Sequence, residues 1–166
     1  MKVRSGGLEE TKKLAAEFVQ SLVPREDGAT VVGLHGDLGS AKTTFAQFVA
    51  EILGVTEHVT SPTFVIIKSY KLSTFSDSPS ESRILDSAEQ NRDNFQLLTH
   101  IDAYRLKNAD ELRALGFETL LSNPRNLIFI EWPERVSEIL PKTTIPIQFL
   151  FINESSRDID IESHSK

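Results

Sequence analysis

The sequence contains no cysteine and no long apolar run. A chain of 166 residues without cysteine cannot form a disulfide, a thiolate metal site or a cysteine nucleophile. No apolar segment approaches the roughly 20 residues that span a bilayer. The first residues, M-K-V-R-S-G-G-L-E-E, also lack the apolar core of a secretory signal. We therefore expect a cytoplasmic protein that makes no membrane contact.

Positive charge is also scarce. The chain has 18 Lys and Arg against 24 Asp and Glu, a net charge of -6 and a pI near 5.2. Proteins that bind nucleic acid on their own usually neutralise several phosphates with basic side chains, so this balance argues against that class. Hydrophobic residues at 39% and charged residues at 25% are ordinary for a folded globular protein. We expect a single domain over residues 1–166.

Apolar strands alternate with amphipathic helices along the chain. Such alternation predicts an α/β fold of three layers with a mostly parallel central sheet. We expect some antiparallel pairing at the edges, at Thr63–Tyr70 and in a C-terminal hairpin. A serine-rich segment, residues 72–94, is predicted to be a flexible insertion loop. The predicted helices include Leu8–Val23 and Ala109–Leu121, and the other predicted strands are Thr30–Leu34, Phe95–Asp102, Leu127–Ile130, Ile145–Ile152 and Arg157–Ile161.

A glycine-rich segment, G-D-L-G-S-A-K-T at residues 36–43, follows the first predicted strand. It departs from the phosphate-loop pattern G-x-x-x-x-G-K-[ST] only at Ala41. In such a loop backbone N–H groups and a helix N-terminus hold the phosphates. Lys42 would bridge the β- and γ-phosphates, and Thr43 would bind Mg²⁺. A chance surface turn is the alternative, which the flanking strand and helix disfavour. With this loop, the predicted three-layer α/β fold is that of the phosphate-loop (P-loop) NTPases.

Ala41 stands where the pattern has glycine. The phosphate-binding backbone alternates the sign of φ, so this residue is predicted to have a positive φ. A Cβ in that conformation costs roughly 1–2 kcal/mol. We expect a mildly strained loop whose nucleotide affinity is weakened and not abolished.

Acidic residues end two of the predicted strands. Asp102 and Glu131 are candidates to hold Mg²⁺ or its water, because ligand sites of α/β proteins form at the carboxyl ends of strands. The alternative is that strand ends carry acids for solubility. Thr63 is a candidate sensor of the γ-phosphate. Trp132 could stack near a nucleotide, lie at a partner surface or pack in the core, and His100 is predicted to be a core or hydrogen-bonded histidine.

Several motifs occur in one order: G-D-L-G-S-A-K-T-T-F at 36–45, T-S-P-T-F at 60–64, H-I-D-A-Y-R-L at 100–106 and I-E-W-P-E at 130–134. Over nearly its whole length the chain resembles the TsaE (YjeE-type) ATPase family of bacterial tRNA modification. The resemblance implies an ATP hydrolase that uses ATP and Mg²⁺ and acts with the proteins TsaB and TsaD. That machinery makes threonylcarbamoyladenosine in tRNA, and this chain would meet tRNA only through the complex.

The resemblance also implies roles for individual residues. Its catalytic residues would be Lys42, Asp102 and Glu131. The metal and its waters would be held by Thr43, Thr63, Asp102 and Glu131. The nucleotide would contact Thr11 beside the base, Trp132, Arg157 and the loop residues Asp37, Leu38, Gly39, Ser40, Ala41, Lys42, Thr43 and Thr44. The family usually has glycine at the position of Ala41 and a shorter link than residues 72–94.

A chain with such a loop could have three other functions. A GTPase-like switch is disfavoured because no N-K-x-D segment occurs. A small-molecule kinase is disfavoured because no arginine-bearing lid is visible in the sequence. A nucleotide-binding regulatory module with little or no hydrolysis stays open, and Ala41 makes it more credible.

Overall fold

The computed structural model describes residues 2–72 and 94–162. Within them, the helices are α1 Leu8–Ser21, α2 Lys42–Ile52, α3 Ala109–Ala114 and α4 Phe117–Leu121, with a 3₁₀ segment at Pro133–Ile139. The strands are β1 Lys2–Ser5, β2 Thr30–His35, β3 Ile67–Lys71, β4 Leu97–Asp102, β5 Asn126–Glu131, β6 Ile145–Phe151 and β7 Arg157–Ile161. Nearly all of the predicted insertion at 72–94 lies outside the described residues.

The described strands form one sheet in the order β1-β7-β6-β2-β5-β4-β3. The four central strands, β6, β2, β5 and β4, are parallel to one another. The outer pairings, β1 with β7, β7 with β6 and β3 with β4, are antiparallel. The prediction of an α/β fold with a parallel centre and antiparallel edges is confirmed.

Hydrophobic cores cover both faces of this sheet. On one face Phe18 of α1 and Phe45 of α2 pack with Val32 of β2. On the other face Leu112 of α3 and Phe117 of α4 pack with Val31. Since successive side chains of a strand point to opposite faces, the valine run of β2 supplies both cores, and the three predicted layers are present.

The predicted strand at Thr63–Tyr70 is wrong over its first half. Only Ile67–Lys71 pairs as a strand. The N–H groups of Val65 and Ile66 both donate to the carbonyl oxygen of Pro62, at 3.0 and 2.6 Å, which closes a turn. Ile66 has φ 67°, a backbone conformation in which a β-branched residue is a genuine outlier.

A short N-terminal strand was missed by sequence reasoning. β1 has four residues, K-V-R-S, too few and too polar to show a period. It forms because its backbone pairs with β7 and the Arg4 guanidinium contacts the Asp158 carboxylate at 2.7 Å. This pairing carries the start of α1 to the end of the sheet where the site lies. No helix in the described part of the chain is long and apolar enough to cross a membrane.

Candidate functional site

A cavity of about 530 Å³ lies at the carboxyl ends of the central strands. Its walls come from the loop before α2, the β1–α1 junction and the β6–β7 turn. Asp37 is the one predicted site residue that does not line it. The structure brings the other predicted site residues together there: Thr11, Leu38, Gly39, Ser40, Ala41, Lys42, Thr43, Thr44, Thr63, Asp102, Glu131, Trp132 and Arg157.

The loop before α2 has the backbone shape that phosphate binding requires. Gly39 has φ 77° and Ala41 has φ 79°, so the predicted positive φ at Ala41 is confirmed. No side chain caps the N-terminus of α2, and the first N–H groups of a helix have no intrahelical partner. The helix therefore presents free donors and its positive end to the cavity, the arrangement that binds anions.

Ser40 adds a further donor to this loop. Its side chain is fully buried, and its hydroxyl has no hydrogen-bond partner among the described residues. A buried polar atom without a partner is costly. An oxyanion seated in the loop is the kind of group that could accept from it, so the residues present fit a phosphate.

Lys42 is the buried cation of the site. Its ammonium donates to the carbonyl oxygens of Gly36 and Asp37, at 2.6 and 2.9 Å, and lies 4.5 Å from the centre of the Trp132 ring. Burial lowers the pKa of Lys42, while the nearby carboxylates, Glu131 foremost, raise it in part. These hydrogen-bond partners are neutral, which leaves the charge of the ammonium available to an anion.

Glu131 is the buried anion of the site. The Thr43 hydroxyl donates to its Oε1 at 2.7 Å, and Nε2 of His100 lies 2.8 Å from the same oxygen. Burial raises the pKa of Glu131. The hydrogen bonds from His100 and Thr43 and the charge of Lys42 together outweigh burial, so the net pKa is lowered. Glu131 therefore stays ionised although only 4% of its surface is exposed.

Asp102 is engaged differently from Glu131. Its Oδ2 accepts from the Thr63 hydroxyl at 2.6 Å, and its Oδ1 accepts from the backbone N–H of Tyr104 at 2.9 Å. The N–H of Asp102 donates to the carbonyl of Ile66 at 2.9 Å. In this conformation Asp102 thus holds the Thr63–Ile66 turn against the end of β4.

The donor set suits a hard divalent cation that keeps most of its waters. No three acidic or histidine side chains within the described ranges converge as a metal cage. Mg²⁺ is usually held by one or two protein oxygens plus substrate phosphates and water. The Thr43 hydroxyl and the Glu131 carboxylate, 2.7 Å apart, fit that requirement.

Trp132 lies between the site and the 3₁₀ segment. Its backbone has φ 59°, and its ring packs against Tyr104 with centroids 5.1 Å apart. The ring lines the cavity beside Lys42 and also packs, partly buried, against the core on one face of the sheet.

Thr11 and Arg157 lie at the far end of the cavity. The Thr11 hydroxyl donates to the carbonyl of Gly7 at 3.0 Å and shares a 2.7 Å hydrogen bond with Ser5. The Arg157 guanidinium donates to the carbonyl of Asn153 at 2.6 Å, so it stabilises the β6–β7 turn.

Several cavity residues were not predicted from the sequence. Tyr104 could have been found from the H-x-D-x-Y pattern, which places it two residues past the end of β4. Ser61 lies in the T-S-P-T-F motif at 60–64, two residues before Thr63. The others depend on the β1–α1 junction and on the β6–β7 turn, and no local pattern marks them. They are Ser5, Gly7, Leu8, Glu154 and Ser155.

Comparisons with known proteins agree with this geometry. A sequence model of the family described as "Threonylcarbamoyl adenosine biosynthesis protein TsaE" matches residues 6–159. A Rickettsia felis protein named tRNA threonylcarbamoyladenosine biosynthesis protein TsaE is 34% identical over 158 residues, covering 95% of this chain and 77% of that protein. The Bacillus subtilis protein of the same name is 31% identical over 159 residues, covering 96% and 83%.

A solved structure is similar over the same length. The crystal structure of Bacillus subtilis YdiB matches with a TM-score of 0.66 and 28% identity, covering 97% of this chain and 83% of that chain. The likeness thus extends over nearly the whole chain. On the match over residues 6–159 and the relatives of the same name, this chain belongs to the TsaE family of tRNA threonylcarbamoyladenosine biosynthesis.

Proposed function

We propose that this chain binds ATP with Mg²⁺ at the N-terminus of α2 and hydrolyses it, slowly alone and faster with TsaB and TsaD. One observation carries the proposal. The start of α2 is uncapped and follows Ala41 in the left-handed conformation, and the Thr43 hydroxyl there lies 2.7 Å from the buried Glu131 carboxylate. A helix end suited to phosphate and an oxygen pair suited to Mg²⁺ thus face the same cavity, which supports the proposal.

Phosphate binding falls to the loop and Lys42. The free N–H groups at the start of α2 and the Ser40 hydroxyl would donate to phosphate oxygens. The Lys42 ammonium would exchange its carbonyl partners for the β- and γ-phosphates. A charge-assisted hydrogen bond to phosphate is stronger than one to a neutral carbonyl, so this exchange is favourable.

The hydrolytic step calls for an ionised carboxylate at the γ-phosphate end. Mg²⁺, when bound, neutralises phosphate charge and orients the oxygens. Thr43 and Glu131 would hold the metal or its waters, and Asp102 would keep Thr63 beside them. Glu131 would act here in its ionised form, because its pKa is lowered. Burial raises this pKa, but the hydrogen bonds from His100 and Thr43 and the charge of Lys42 outweigh burial.

The other end of the cavity suits the nucleoside. Thr11, buried at 4% exposure, would border the base. Arg157 would lie beside the ribose or base while stabilising its own turn. Trp132 would contact the phosphate end, since its ring faces Lys42.

Exposed apolar side chains near the cavity mouth support a protein partner. Leu38 in the loop is 69% exposed, and Phe64 and Val65, next to Thr63, are 83% and 64% exposed. Exposed apolar groups concentrated near a functional site mark interaction surfaces. The net charge of -6 further suggests that tRNA is met only through TsaB and TsaD.

A second function, a nucleotide-binding regulatory module with little hydrolysis, is favoured by two observations. Ala41 keeps a Cβ in the left-handed conformation, and both Asp102 oxygens accept hydrogen bonds from the protein itself. Such a module would bind ATP and release no phosphate even with its partners.

Phosphate release separates the two functions. Release from ATP and from GTP would be measured with the chain alone and with TsaB and TsaD added, beside the nucleotide dissociation constant. We expect slow Mg²⁺-dependent release from ATP that TsaB and TsaD accelerate. Binding without release under both conditions would favour the regulatory module, and no binding at all would contradict both functions.

A further inference from the structure

His100 is placed by strand geometry against the acidic end of the site. It precedes Asp102 by two residues on β4, so both side chains stand on the same face of the sheet. Asp102 pairs in register with Glu131 of the neighbouring parallel strand. His100 therefore lies two residues before the position opposite Glu131. Its Nε2 lies 2.8 Å from Glu131 Oε1.

The donor and acceptor in this contact follow from its chemistry. A carboxylate only accepts, so Nε2 of His100 carries the proton and donates. The other ring nitrogen, Nδ1, is buried and has no partner among the described residues. A proton on Nδ1 would lie in the core without an acceptor, which favours the proton on Nε2.

Both hydrogen bonds to Glu131 fall on one oxygen. Thr43 and His100 donate to Oε1. Within the described ranges no donor reaches Oε2, yet Oε2 is not among the buried polar atoms that lack a partner. It therefore opens onto the cavity that Glu131 lines.

We propose that His100 is a positioning residue that fixes the Glu131 carboxylate through Oε1, so that Oε2 faces the phosphate end of the cavity. This inference rests on the proposed ATPase function. His100 does not line the cavity and would not touch the nucleotide. Such a partner behind a working carboxylate orients it and contributes about 10- to 100-fold to activity or metal affinity.

A pair of amide variants tests the position of the donor. Glutamine can place an N–H near the position of Nε2, whereas asparagine is one methylene shorter and leaves Glu131 without this donor. We expect His100→Gln to keep most of kcat and His100→Asn to lose roughly 10- to 100-fold, both with KM for ATP unchanged. Equal kcat for the two variants would overturn the inference.

A neighbouring variant controls for destabilisation. Thr99 is fully buried on the opposite face of β4 and donates to Asn126 Oδ1 at 2.9 Å. Thr99→Val removes a buried hydrogen bond without touching the site, so we expect kcat to stay at the wild-type value. A fall in kcat matching that of His100→Asn would show that lost stability alone explains both.

A second readout needs neither nucleotide nor metal. In ¹⁵N-histidine-labelled protein we expect His100 to show the Nε2–H tautomer with a slowly exchanging proton, and Glu131→Ala to abolish that slow exchange. Protonation on Nδ1 alone would overturn the inference. If the wild-type chain releases no phosphate with Mg²⁺, TsaB and TsaD, the proposed function is wrong, and the inferred role of His100 in it is wrong too.

Discussion

The Lys42 ammonium lies 4.5 Å from the centre of the Trp132 ring, close enough for a cation–π contact. Trp132 is the single tryptophan of the chain. Its left-handed backbone, φ 59°, turns the chain after Glu131, and the ring lies against the Lys42 ammonium at the start of α2. The contact therefore couples the position of the lysine to one intrinsic fluorophore.

Nucleotide binding should consequently change Trp132 emission. When phosphate oxygens draw the ammonium away, the cation leaves the face of the ring. We expect a saturable change in Trp132 fluorescence on titration with ATP and Mg²⁺. Lys42→Ala should weaken ATP binding by roughly 10- to 100-fold, the loss expected for a charge-assisted hydrogen bond. An unchanged affinity in Lys42→Ala would place the nucleotide elsewhere.

Replacing Ala41 by glycine should relieve backbone strain. The Cβ at φ 79° costs roughly 1–2 kcal/mol. Glycine removes this cost, but it also raises the conformational entropy of the unfolded chain, which offsets part of the stabilisation. We expect Ala41→Gly to raise the free energy of unfolding by up to about 1 kcal/mol. ATP binding should also tighten, because the loop reaches its phosphate-binding shape without strain.

The same exchange in a helix is the control for Ala41→Gly. Ala114 is exposed and is the last residue of α3, where alanine has no left-handed strain to relieve, so Ala114→Gly should not raise the free energy of unfolding. Urea denaturation and an ATP titration measure both variants. Weaker ATP binding by Ala41→Gly than by wild type would refute the strain argument.

Local patterns were enough to predict the glycine-rich loop before α2 and the acidic strand ends. The loop motif, Lys42 and Thr43 are contiguous, and Asp102 and Glu131 each follow their own apolar strand. The turn at Thr63–Ile66 was mistaken for a strand because its residues favour β structure. In the folded chain the hydrogen bonds to Pro62 override that preference and leave Phe64 83% exposed.

Long-range contacts escaped sequence reasoning for a physical reason. His100 and Glu131 are 31 positions apart, and they meet only because β5 lies beside β4 in register. The far wall of the cavity depends on β1 joining β7 across the whole chain. The local periodicity of apolar residues determines neither the order of the strands in the sheet nor the register of an edge strand.

Glu131 should also make stability depend on pH. Burial raises its pKa, but the hydrogen bond from His100, that from Thr43 and the charge of Lys42 bring it below the ordinary value of 4.5. A lowered folded pKa gives stability that is present above the unfolded value and lost as pH falls through the folded pKa. We expect the unfolding free energy of wild type relative to Glu131→Gln to be larger at neutral pH than well below 4.5.

Urea denaturation at the two pH values measures this difference, with Glu57→Gln as the control at an exposed glutamate. The unfolding free energies of wild type and Glu57→Gln should differ little at both pH values. If the unfolding free energy of wild type relative to Glu131→Gln instead increased at acidic pH, the pKa of Glu131 would be raised and not lowered.

Comparing ATP binding with phosphate release in Glu131→Gln tests the central claim most directly. Glutamine keeps the size of the side chain and removes its charge, so the fold and the phosphate loop should persist. With Mg²⁺, TsaB and TsaD present, we predict an ATP affinity near that of wild type and phosphate release slower by roughly 100-fold or more. Release at the wild-type rate from Glu131→Gln would contradict the proposed role of this carboxylate and the site built around it.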